Sequence, residues 1–146
     1  MRRILVFIVA VIVGLVVGML ANILILNLNH QFFPMPDGVS YEDQETFNAW
    51  LTTLPQTAFI LVVVAHLAQA FFGALIAALI AKHNMLCVAM AVSILTMIGG
   101  IANLLMIPAP AWMWIEMPLY LVVAWLAVTL VSRMRVKFLA STTRSQ

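Results

Sequence analysis

Polar and charged residues divide this chain into four long apolar intervals. Ile4 to Leu28, Thr57 to Ala81, Met85 to Ile107 and about Trp114 to Ser132 contain a single formal charge among them, Glu116. At about 1.5 Å of rise per helical residue, runs of roughly 20 apolar residues cross a hydrocarbon core about 30 Å thick. Inside that core the backbone must satisfy its own hydrogen bonds, so each run is expected to be a helix. The first interval follows Met1-Arg2-Arg3 and is far longer than the roughly 7–15 apolar residues of a signal peptide. It therefore reads as a retained first transmembrane helix.

The connecting stretches have their own pattern. Residues 29–56 open with Asn29, His30 and Gln31, turn through Pro34-Met35-Pro36-Asp37-Gly38, and continue as SYEDQETFNAWLTTLP. Proline and glycine at that spacing predict a turn. Ser40 is a possible helix cap, with acids in the turn that follows. Phe47, Trp50, Leu51 and Leu54 recur at helical spacing, which predicts a short amphipathic helix. Its apolar side either lies on the membrane surface or packs on the loop itself. The link Lys82-His83-Asn84 is so short that the flanking helices must be antiparallel. In residues 108–116, Pro108 and Pro110 favour a turned connection. Trp112, Trp114 and Trp50 are expected to act as interfacial anchors.

Composition and charge complete the topology. Of the 146 residues, 65% are hydrophobic and 8% charged, against about 25% charged in an ordinary soluble domain. Every basic residue (Arg2, Arg3, Lys82, Arg133, Arg135, Lys137, Arg144) falls on one side of the four-span map, and every acid (Asp37, Glu42, Asp43, Glu45, Glu116) on the other. The positive-inside rule then places both termini in the cytoplasm and the loops 29–56 and 108–116 outside. The expected fold is all-α: one transmembrane domain, an antiparallel up-down four-helix bundle with a short periplasmic amphipathic helix. The basic tail 133–146 is expected to fray or to lie on the inner surface, where anionic lipid is a better partner for it than nucleic acid.

Small and polar residues share helix faces. Gly14 and Gly18 form a GxxxG pair with Asn22 one turn on. Gly73 and Ala77 continue a stripe in the second span, and Gly99 and Gly100 lie in the third. Such spacings permit close backbone approach between helices. By depth, Asn22, His66 and Asn103, with Gln69 beside His66 and Glu116 at the outer rim, form a candidate polar cluster in the outer half of the bundle. Intramembrane ionisable groups are functional candidates by default. The alternative is an interhelical hydrogen-bond network that fixes register.

Several chemistries find no residues to carry them. The single cysteine, Cys87, precludes an internal disulfide or dithiol chemistry. His83 lies about 25 Å along the same helix from His66, and His30 is at the outer surface, so a bis-histidine haem site is not expected. No metal site is expected, since His66 and Glu116 alone offer ligands. Ser93 has no base at its depth. No acid lies within a span interior, which counts against a carboxylate-driven antiporter. No cofactor or catalytic set is assigned, and the chain reads as a non-enzyme.

The segments VVGMLANILI, FPMPDGV, LVVVAHLAQAFFGALIAALIA and IGGIANLLMIPAPAWM give residues 14–126 a resemblance to a group of small uncharacterised bacterial four-helix integral membrane proteins. The resemblance implies that Asn22, His66, Gly99, Gly100, Asn103, Pro108, Pro110 and Trp112 recur, and it implies an inner-membrane location. It brings no activity, and the fourth helix here is more aliphatic than in that group. The first functional expectation is a structural protein or complex subunit acting through helix packing, as a homo-oligomer or within a larger membrane complex. The second is a small transporter or channel using the polar cluster around His66.

Overall fold

The antiparallel helices expected from the apolar intervals are present. The computed structural model describes the backbone of residues 1–144 and the side chains of residues 1–137. In order along the chain are α1 (Arg2–Phe32), α2 (Gln44–Thr53), α3 (Gln56–Ile80), α4 (Met85–Met106), a 3-10 turn (Ala111–Ile115) and α5 (Glu116–Arg144). No strand occurs among the described residues. Helices α1, α3 and α4, and the segment Ala111–Lys137 that carries α5, are long and apolar enough to cross a membrane.

The helix ends depart from the hydrophobic boundaries for identifiable reasons. Helix α1 continues past Leu28 to Phe32, because Asn29, His30 and Gln31 end the apolar run without breaking the backbone ladder. Beyond Ser132, where a frayed or surface-lying tail was expected, α5 instead continues as helix to Arg144; residues 145 and 146 lie outside the described region. The α2 cap is Asp43 rather than Ser40. The Asp43 carboxylate accepts from the backbone N–H of Glu45 at 3.1 Å and of Thr46 at 3.3 Å, whereas Ser40 Oγ accepts from Glu42 N–H within the preceding turn. An ionised cap at a helix start also complements the helix dipole.

Helix α3 is the hub. It packs against α1, α4 and α5, whereas α1 and α5 have little to do with one another. The α1–α3 seam explains how this is held. The buried residues of α1 are Ala10, Gly14, Gly18 and Asn22, a single stripe with a four-residue repeat. Opposite them α3 offers Ala70, Gly73 and Ala77, all buried. A Cβ added to Gly14 would lie 2.6 Å from the Gly73 carbonyl oxygen, and one added to Gly73 would lie 2.8 Å from that of Gly14. A Cβ on Gly18 would collide with the Gln69 carbonyl, and one on Gly100 with the Tyr120 hydroxyl. Gly99, expected to pack as well, has open space where its side chain would be. A glycine contributes to packing only on the face that meets a neighbour, and Gly99 is rotated away from that face.

At the end of the bundle that gathers the basic residues, Arg135 ties α5 to α3. Its guanidinium donates to the carbonyls of Ala78 (3.1 Å), Leu79 (3.0 Å) and Lys82 (3.3 Å). These carbonyls lie at the end of α3, where intrahelical donors run out and positive charge is favoured. The α3–α4 turn passes through Asn84 at φ 60°, a left-handed conformation that asparagine tolerates better than most residues.

The seam makes a differential prediction. Gly18→Val should lower the unfolding free energy by about 1–3 kcal/mol through overpacking. Gly99→Ala should be neutral or stabilise by up to about 1 kcal/mol through helix propensity. Unfolding of both variants in mixed micelles checks this, and equal effects at the two sites would contradict the seam.

Candidate functional site

The site is built where the 3-10 turn delivers Glu116 to α3. Pro108 and Pro110 lack backbone donors, and the chain reverses there through the bonds Ala109 N–H to Ile107 O (2.8 Å) and Met113 N–H to Pro110 O (3.0 Å). The tight turn carries Glu116 inward as the first residue of α5. Glu116, expected at the outer rim, is 0% exposed and faces the inside of the bundle. A buried carboxyl is costly without hydrogen-bond partners. The partner is His66 on α3, whose Nδ1 lies 3.2 Å from both carboxyl oxygens. With Nδ1–H donating to the Glu116 carboxylate, Nε2 of the imidazole is the remaining acceptor.

His66 also lines a cavity of about 240 Å³ that extends from it toward the acidic end of the bundle. Its walls come from the last turns of α1, from α2, from α3 and from the end of α4. The apolar face of α2, Phe47, Trp50, Leu51 and Leu54, lines this cavity. That face is turned onto the protein's own interior rather than laid free on a membrane surface. An aromatic cluster holds this α2 cap: the His30 imidazole stacks on Trp50 with ring centroids 6.5 Å apart and planes 3° from parallel. Tyr41 and Phe47 pack at 5.0 Å, and the Tyr41 hydroxyl hydrogen-bonds His30 Nε2. Partial burial of Tyr41 raises its phenol pKa.

The expected polar cluster is brought together in part. Asn103 lines the same cavity as His66. Asn22 is buried on the α1 stripe but makes no hydrogen bond to the pair among the described residues. Gln69 faces α1, its backbone carbonyl and Cγ against Gly18. Of the expected anchors, Trp114 is 45% exposed and suits an interface. Trp50 instead belongs to the cap. Trp112 packs on the core of Phe59, Val63, Leu104 and Met113, and its indole N–H is enclosed with no acceptor.

Three participants escaped the sequence reading. Asn29 lines the cavity with its amide oxygen buried and unpartnered. Its position at the end of an apolar run looked like simple termination. Tyr120 is 0% exposed, one helical turn from Glu116, with its hydroxyl against Gly100 and close to the Glu116 carboxyl. The spacing Glu116–Tyr120 was the available signal. His30 was assigned to the surface, and only the fold of residues 33–43 brings Tyr41 to it. Among the described residues no three His, Cys, Asp or Glu side chains converge as a metal site would require.

Comparison with family profiles, curated proteins and solved structures finds no match for this chain.

Removing either member of the pair leaves the other buried without its partner, at a cost of about 1–3 kcal/mol. His66→Leu and Glu116→Leu should each destabilise by that order, and the double variant by clearly less than their sum. Asn22→Leu should show no coupling to either. A double-mutant cycle on unfolding free energies measures this, and additivity of the first two would contradict the pairing.

Proposed function

We propose that this is a multi-pass bacterial inner-membrane protein, with both termini cytoplasmic, that binds a small solute in its outer half as a small transporter or channel. The supporting observation is His66, held by the buried Glu116 carboxyl behind it, in the wall of a mostly apolar cavity. Ligand sites commonly combine apolar walls with a few convergent polar groups, and here Asn29, Asn103 and His66 supply them. The orientation rests on the charge map: Arg2, Arg3, Lys82, Arg133, Arg135 and Lys137 gather at one end of the antiparallel bundle, the end expected to face the cytoplasm.

The size of the cavity favours a compact ligand. About 150 Å³ holds one benzene ring, and drug-sized ligands occupy pockets from about 300 Å³ upward. A single-ring or short-chain solute with at least one hydrogen-bond donor suits the space and the unpartnered Asn29 oxygen. Toward the other end the bundle is filled by Ala74, Ala89, Ala124 and Ala127, all fully buried. The cavity is thus one-sided, as an outward-facing binding site would be. Register alone could be fixed by neutral amides at lower cost than a buried carboxyl.

The other reading, a structural protein or complex subunit that associates through its small-residue faces, draws less support from those faces. Gly14, Gly18, Gly73 and Gly100 all face neighbours within the chain.

Gentle extraction followed by native mass spectrometry tests the proposal. Wild-type protein should retain an adduct lighter than a phospholipid. Ala58→Phe, which fills the cavity, and His66→Leu, which removes its floor, should each lose that adduct while remaining folded. A wild-type spectrum containing phospholipid adducts alone, unchanged in both variants, would remove the basis for a solute site.

A further inference from the structure

The opposite end of the molecule holds a second cavity, of about 400 Å³, between the first turn of α1 and the α3–α4 turn. Its polar wall is Arg2, Arg3, Lys82, His83 and Asn84. No acid lines it, and the five acids of the chain, Asp37, Glu42, Asp43, Glu45 and Glu116, all lie elsewhere. Arg2, Arg3 and Lys82 make no ion pair among the described residues, where the single carboxylate contact within salt-bridge distance is His66–Glu116. Three fixed cations converging on one cavity repel each other, and a bound anion relieves that repulsion.

Two features of the backbone point the same way. Arg2 and Arg3 sit in the first turn of α1, where no acid is present and where the helix dipole disfavours positive charge. Helix α4 also starts at this cavity, with no side chain capping its first N–H groups. The end of α3, which would otherwise present bare carbonyls here, has its carbonyls engaged by Arg135. The remaining wall is apolar, from Val6, Phe7, Ile80 and Val88.

We infer that this cavity is a phosphate-recognition site, made by Arg2, Arg3 and Lys82, for the headgroup of an anionic phospholipid whose acyl chains leave along Phe7 and Val88. Arginine and lysine suit phosphate oxygens as fork and point-charge donors, and basic pockets at the cytoplasmic ends of transmembrane helices take anionic headgroups. The site is independent of the outer cavity and of any solute bound there.

Native mass spectrometry of the full chain, titrated with dioleoylphosphatidylglycerol and separately with dioleoylphosphatidylcholine, tests this. Phosphatidylglycerol should bind more tightly than phosphatidylcholine. Arg3→Gln combined with Lys82→Gln should weaken its binding roughly 30-fold, whereas Lys137→Gln, on the exposed basic face of α5, should leave it unchanged. All substituted residues are exposed, and far-UV circular dichroism checks that helicity is retained. Inorganic phosphate forms the second arm. If it displaces the lipid from wild type at comparable concentration, the phosphate chemistry stands and the lipid assignment is overturned in favour of a soluble phosphate. Equal phosphatidylglycerol binding by wild type and the double variant, or an equal loss in Lys137→Gln, would overturn the site.

Discussion

The constraint on which the structure depends is the close approach of two helix backbones along the α1–α3 seam. Acyl chains are as apolar as leucine, so helices associate where their backbones can come close enough for dispersion and carbonyl contacts to accumulate. This chain meets that condition at Gly14 and Gly73, where neither helix has room for a Cβ. Everything at the acidic end follows from that approach. It sets α1 against α3, and so places Leu26, Asn29 and His30 as one wall of a cavity whose floor is His66.

The two ends of the bundle solve the problem of polar groups differently. At the basic end, open helix termini are served by side chains that reach back to them, as Arg135 does for α3. At the acidic end, a carboxyl is taken into the interior and matched with one imidazole. The first arrangement leaves positive charge unbalanced at the surface. The second leaves the His66 member of a buried polar pair beside a cavity. Neither is required by helix packing alone.

The architecture was legible because long apolar intervals leave few choices beyond helices. Four apolar intervals with a single charge among them and a complete separation of basic from acidic residues imply antiparallel helices without further information. The glycine stripe of α1 was equally readable, since its four-residue repeat is a property of sequence alone. The site was legible only in part. His66 announced itself as an ionisable group in an apolar span, but its partner depended on a 3-10 turn after Pro110 that no periodicity encodes. Asn22 shares depth with His66 and lies on the α1 stripe that meets α3, yet it makes no hydrogen bond to His66 among the described residues, because depth follows from residue counting while a hydrogen bond depends on how the side chains are aimed. Trp112 stands in a loop, which suggested an interface; its half-buried ring also packs on the core of Phe59, Val63, Leu104 and Met113, a contact that only the fold of the loop creates.

Helix α1 has 31 residues, about 46 Å of helix at 1.5 Å per residue, against a hydrocarbon core of about 30 Å. In a bilayer it must tilt or overhang. Its last turns carry Asn29 and His30, and through the stacked His30–Trp50 rings they hold α2. In the membrane setting proposed above, the cap over the cavity would hang from a helix longer than the hydrocarbon core, and bilayer thickness would bear on the roof of the cavity.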